Sequence, residues 1–182
     1  ITTLYNPNNV AEEAAPATVA KEIEVGFQLA EMFGYPTDPD ASPCGWGHLT
    51  SGGTVANYEG LRNFIALRFF GLAVADAARR TDVEFGPVGP LKRPLSHYSD
   101  WQLFNLSIAE VIELREAVFD RVRNGLDETD LDEQTARDFG SALKKARIES
   151  KGFIDFFREH PGLEPPVVIV PRTAHYSWAK AM

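Results

Sequence analysis

The chain has 182 residues, 44% hydrophobic and 24% charged, a balance that suits one folded domain or a large piece of one and excludes a disordered segment. Eighteen Lys and Arg stand against 26 Asp and Glu, a net charge of −8 with no basic cluster, which excludes nucleic acid or an anionic membrane surface as a partner held by bulk charge. No apolar run reaches the roughly 18–20 residues that span a bilayer, and the single cysteine, Cys44, has no internal disulfide partner, as expected of a reducing, cytoplasmic setting.

Taken in order, Tyr5-Asn6-Pro7-Asn8-Asn9 is turn chemistry. A helix is expected from Pro16, with Val19, Ile23, Phe27 and Ala30 at helical spacing and Gly34 as its stop. Residues 35–45 hold three prolines and read as a loop. Trp46 to Thr50 reads as a strand end or an ordered loop. A helix from Val55 to about Arg80, apolar around much of its circumference, is expected to be buried. Residues 81–94 read as a loop. Ser107 and Glu110 form a capping box, with Leu106 and Val111 placed as its staple, for a helix ending near Asn124 and Gly125. Thr129 to Asp132 repeats that logic before a helical region to His160, with Gly140 and Gly152 as candidate breaks. The aromatics Phe153, Phe156 and Phe157 read as core packing.

Val167-Val168-Ile169-Val170 is a continuous β-branched run suited to a strand buried on both faces. Ser177 then reads as the cap of another helix. Helices with an isolated buried strand point to an α/β fold whose sheet lies mostly outside this stretch. The chain opens on Ile1, not Met, and stops at Met182 a few residues into the last helix. It is therefore expected to be a segment of a larger protein. Residues 1–45 read as an N-terminal segment, and residues 46–182 as the first part of a larger domain.

Two places could carry chemistry. Ser51-Gly52-Gly53-Thr54 opens the second helix, where two glycines permit close backbone approach, the first N–H groups point outward and two hydroxyls add donors. That is a phosphate site, or else a plain glycine-rich turn with a hydroxyl cap. There is no Gly-Lys-Ser/Thr ending and no G-x-G-x-x-G pattern, so neither an ATP loop nor a dinucleotide fingerprint is present. His175 lies just past the expected strand, where open α/β sheets place their ligand crevice. Its imidazole could stack on a flat heteroaromatic ring, or be a structural histidine. His48, His97, His160 and His175 lack metal-ligand spacing, so no metal site is expected. No G-x-S-x-G elbow occurs.

These places, in this order, resemble the group II pyridoxal-phosphate-dependent amino-acid decarboxylases, in their bacterial tyrosine decarboxylase branch. The carriers are Tyr5 to Val10, Glu12-Glu13, Glu24-Val25-Gly26, Trp46 to Thr50, Val55-Ala56-Asn57-Tyr58-Glu59-Gly60-Leu61, Leu103 to Ser107, and Val168 to Pro171 leading into His175-Tyr176-Ser177-Trp178 and Lys180-Ala181. Where that branch usually has an Ala-Asp-Gly-Ser-like stretch, this chain has Ser51-Gly52-Gly53-Thr54. The resemblance implies the large domain of the fold-type I enzymes, a mostly parallel sheet flanked by helices, assembled as a homodimer. It implies pyridoxal 5'-phosphate as cofactor, with Ser51, Gly52, Gly53 and Thr54 on its phosphate and His175 on its ring. Asn6 and Asn8 would lie near the substrate entrance or the dimer seam.

The implied reaction is decarboxylation of an L-amino acid, aromatic and tyrosine-like, to the amine and CO2. The family's cofactor-bearing lysine and its pyridine-nitrogen aspartate follow contexts absent here. None of Lys21, Lys92, Lys144, Lys145, Lys151 and Lys180 fits, so a remaining, lysine-bearing part of the protein is expected to complete the enzyme. The sequence leaves three other readings: another pyridoxal-phosphate carbon–carbon lyase of the same fold, a decarboxylase of aspartate or glutamate, and a helical scaffold using residues 51–54 only as a turn.

Overall fold

A computed structural model describes residues 12–40, 44–124 and 131–181. The chain divides into two compact units, Ile1–Ala56 and Asn57–Met182.

In the first unit a 3-10 turn, Glu12–Ala14, leads into α1 (Pro16–Met32), with proline in the first turn, where its missing N–H costs nothing. The helix ends as the glycine predicts. Gly34 takes φ +79, its N–H donates to Glu31 O at 2.9 Å, and Tyr35 N–H reaches Ala30 O at 3.0 Å. This is a Schellman stop, which meets two carbonyls the helix would otherwise leave open. Trp46 to Thr50 is an ordered loop rather than a strand end, and it is laid against α1. Leu49 N–H donates to Glu22 at 2.9 Å. A Cβ on buried Gly26 would stand 2.2 Å from the carbonyl oxygen of Gly47, so only glycine permits this approach. Two blocks of the sequence resemblance, around Gly26 and around Gly47, meet there.

The second helix, α2 (Gly53–Thr81), is buried at every position from Phe69 to Ala78. Phe69 is the centre of the second unit's core. Its ring meets Phe104, Phe153, Phe156 and Phe157 edge-on at 5.0, 5.6, 4.7 and 5.9 Å. Edge-to-face pairs add roughly 0.5–1.5 kcal/mol each beyond the area they bury. Close approach of the next helix is set by Gly71, where a Cβ would stand 3.0 Å from Leu103 O.

A 3-10 turn (Leu95–His97) and a short helix, α3 (Asp100–Phe104), follow the loop. Ser99 and Gln102 form the capping box of α3, an S-x-x-Q pattern that the sequence reading passes over. Ser107 and Glu110 cap α4 (Ile108–Asn124) as expected: Glu110 accepts from the Ser107 N–H and hydroxyl, each at 2.7 Å. Gly125 and Thr129 lie outside the described residues. Asp132 caps α5 (Glu133–Ala146), accepting from Thr135 N–H at 2.9 Å.

The helical region to His160 breaks twice. Gly140 stays inside α5, and the first break falls at Arg147, whose backbone is extended. After α6 (Ile148–Lys151) the second falls at Gly152, with φ +79, before α7 (Phe153–Glu159). The chain ends in α8 (Ser177–Ala181).

The expected strand is not formed. No β-strand occurs among the described residues, so the α/β character read from the sequence is absent from this segment itself. Val167 to Val170 carries no regular structure, and among the described residues no strand stands beside it to pair with. Its alternation survives: Val167 and Ile169 are 85% and 93% exposed, while Val168 and Val170 are half-buried.

Candidate functional site

Ser51 to Thr54 belongs to the first unit and is exposed. Gly52 takes φ +110, a conformation that side chains rarely adopt, and a Cβ on Gly53 would meet nothing within 4 Å. The Gly52 carbonyl accepts the N–H groups of Val55 and Ala56, at 3.1 and 3.3 Å, and the Thr50 hydroxyl at 3.1 Å. The N–H groups of Gly53 and Thr54 precede the first intrahelical bond and face outward. The first turn of α2 has no acidic residue to repel an anion. Backbone, hydroxyls and helix dipole together fit a phosphate dianion.

His175 belongs to the second unit and is exposed, on the short turn before α8. Its Nδ1 lies 2.9 Å from Ser177 Oγ and 3.3 Å from Ser177 N. Ser177 is 1% exposed, and its Oγ accepts from Asn57 Nδ2 at 2.9 Å. The hydroxyl expected to cap α8 is thus spent on His175 and Asn57. The imidazole lies against Tyr176, with ring centroids 4.2 Å apart. Asn6 and Asn8 lie outside the described residues.

The six lysines divide by setting. Lys151 is buried and paired, donating to Asp76 at 3.2 Å and to Glu159 at 2.8 Å. Lys180 is exposed, with its ammonium 5.0 Å from the centre of the Tyr176 ring. Among the described residues no group of three His, Cys, Asp or Glu side chains is arranged to hold a metal ion. No helix among them is long and apolar enough to cross a membrane.

Sequence reasoning missed a buried charge network in the second unit. His160, 3% exposed, places Nδ1 2.6 Å from Asp100 Oδ2 and Nε2 3.1 Å from Asp76 Oδ2. Both nitrogens face carboxylates, an arrangement that favours the doubly protonated ring. Its bond to Asp76, opposed by burial and aided by Asp100, holds the imidazole above its ordinary pKa. Asp76, 5% exposed, also receives Lys151 and Arg79. Burial pushes its carboxyl up, but hydrogen bonds from His160, Arg79 and Lys151 hold it well below the usual carboxylate range. The network ties α2 to α3, α6 and the end of α7. Its members are 60 and 84 residues apart in sequence, and no local pattern announces them. The Asn57–Ser177 bond, spanning 120 residues, is hidden for the same reason.

An open apolar groove of about 760 Å³ also lies in the second unit. It is walled by Leu61, Phe64 and Ile65 of α2, by Trp101 and Ile108, and by residues 164–171.

No family model matches the chain, and no solved structure matches it. Three curated relatives do. L-tyrosine decarboxylase of Enterococcus faecium is 31% identical over 179 residues, that of Enterococcus faecalis 31% over 181, and that of Levilactobacillus brevis 30% over 181. Each match covers 98% of this chain but only 22%, 21% and 21% of the relative. The chain therefore spans about a fifth of the length of the relatives it matches. The likeness first seen in short motifs thus runs through nearly all of the sequence, and the chain is similar to a segment of bacterial L-tyrosine decarboxylases.

Proposed function

We propose that this chain is one part of a pyridoxal-phosphate-dependent decarboxylase that converts an aromatic, tyrosine-like L-amino acid to its amine and CO2. The observation that carries the reading is the match to three L-tyrosine decarboxylases across 98% of the chain. The rest of the protein supplies the lysine that holds the cofactor and the acid that pairs with its ring nitrogen. The active form is a cytoplasmic homodimer of the fold-type I class. Val167 to Val170 joins the sheet of the large domain when its neighbouring strands are supplied. The alternating exposure of this stretch supports that role.

The residues here fit the cofactor's chemistry. Gly52, Gly53 and Thr54 would hold the phosphate through backbone N–H groups, with Ser51 and Thr54 hydroxyls as further donors. The open space above Gly53 and the positive φ of Gly52 support that assignment. His175 would lie on the pyridine ring, where a flat imidazole face can stack. When bound, the cofactor supplies an electron sink for the pair released as the carboxylate leaves as CO2. His175 Nε2–H would be available for orienting that group or moving a proton. Asn6 and Asn8 are assigned to the substrate entrance.

The test uses the full protein that carries this segment, loaded with pyridoxal 5'-phosphate and offered a panel of L-amino acids. CO2 release from tyrosine above that from aspartate and glutamate is expected. Release from the acidic amino acids alone would overturn the substrate class, and release from none would overturn the reaction.

A further inference from the structure

We propose that Asn57 and Ser177 are positioning residues that fix the orientation and tautomer of His175. The proposal rests on the reading that His175 serves the cofactor. It begins from a chain of donors with one consistent direction. A backbone N–H can only donate, so Ser177 N–H at 3.3 Å makes His175 Nδ1 an acceptor. The proton of the neutral ring therefore sits on Nε2. Asn57 Nδ2 is likewise a donor and occupies a lone pair of Ser177 Oγ at 2.9 Å. The single hydroxyl proton of Ser177 is left to point at His175 Nδ1, also 2.9 Å away.

The exposures run in the same direction. Ser177 is buried, Asn57 is half-buried and His175 is exposed. A ring fixed at one edge from inside the fold presents its other edge, Nε2–H, and a face to the outside. Without the donor from Asn57, the hydroxyl of Ser177 turns freely, the long 3.3 Å contact from Ser177 N–H is the hydrogen bond left on Nδ1, and the imidazole loses part of its preference among rotamers. Groups that orient a functional histidine through its second nitrogen act in this way. The sequence had placed Asn57 in a block shared with the decarboxylases and read Ser177 as a helix cap, with no role toward His175 for either.

The test takes Asn57→Asp, Asn57→Gln and Ser177→Ala in the full protein. Asp has the same shape as Asn but no donor, and it competes for the hydroxyl proton. Gln keeps the donor. The first readout is the ¹⁵N spectrum of the His175 ring in alkaline buffer, assigned by its loss in His175→Gln. The native ring is expected to show a bare Nδ1 and a protonated Nε2. In Asn57→Asp and Ser177→Ala only the long 3.3 Å backbone contact still holds Nδ1, so the two shifts move partway toward one another, and Asn57→Gln restores them. The second readout is the split between kcat and KM. Misorientation of a group that acts on the reacting centre lowers kcat by roughly tenfold to a hundredfold, with KM within about twofold.

Native shifts and native kcat in Asn57→Asp and Ser177→Ala overturn the proposal and leave the decarboxylase reading standing. Altered shifts with unchanged kcat overturn it too, because the network is then only structural. A full protein that decarboxylates nothing defeats the functional reading alone, and the ring spectrum still decides the tautomer.

Discussion

Replacing Asp76 with Asn should loosen the second unit around its buried charges. The Asp76 carboxylate faces His160 at 3.1 Å, Lys151 at 3.2 Å and Arg79. The side chains of His160 and Lys151 are 2% and 8% exposed, so neither cation can turn to water when the carboxylate is removed. Arg79, 61% exposed, can. Breaking a buried charge cluster by removing one partner costs about 3–5 kcal/mol. The Asn carbonyl retains one acceptor and Lys151 keeps Glu159, which favours the lower end, about 3 kcal/mol. At about 1.4 kcal/mol per decade, amide exchange in residues 69–78 and 153–160 should quicken roughly a hundredfold. Hydrogen exchange of the full protein measures this peptide by peptide. Arg158→Gln, which breaks an exposed pair with Asp155, should change exchange by less than about threefold. If Asp76→Asn also stays within threefold, the network does not hold the unit together and the reasoning fails.

The same network gives a pH window. His160 has a raised pKa, so its contribution is complete below the unfolded value of about 6.5 and is lost as pH rises through the higher folded value. Asp76 has a lowered one, so its contribution is complete above about 3.9 and is lost only as pH falls through the lower folded value. Exchange of residues 69–78, corrected for its intrinsic rate, should therefore quicken on the alkaline side above pH 6.5, and His160→Leu should remove that limb. Gly26→Ala drives a methyl into the Gly47 carbonyl, and overpacking of this kind costs about 1–3 kcal/mol. Limited proteolysis within residues 44–50 should quicken accordingly. Ser107→Ala removes both bonds made by the Ser107 hydroxyl while the Ser107 N–H still donates to Glu110, and exchange in the first turn of α4 should rise about fivefold.

Local chemistry was legible in the sequence. Gly34 stops α1, Ser107 and Glu110 start α4, and Gly152 divides α6 from α7, because each acts within a few residues of itself. The same rule applied to Ser99 and Gln102 would have found α3, hidden by its length of five residues. Gly140 misleads because the face of α5 outlasts one weak residue, whereas the break at Arg147 carries no glycine or proline to mark it. Val167 to Val170 has a strand's composition and alternation, but a strand also needs a neighbour, and composition cannot supply one. The exposed glycine turn at residues 51–54, where a helix begins, was readable from the two adjacent glycines. Asn57, which stands behind Ser177, and the partners of His160 were not readable, because tertiary contact alone brings them together.

The account turns on whether the start of α2 receives the cofactor's phosphate. Equilibrium titration of the full protein with pyridoxal 5'-phosphate, native against Gly52→Val, tests it directly. Valine cannot adopt φ +110 without strain, so the N–H groups that follow would lose their alignment. The native protein should bind the cofactor, and the variant should bind it at least about tenfold more weakly, the loss of one or two charge-assisted hydrogen bonds. Equal affinity of the two proteins, or no binding by the native one, would contradict the account.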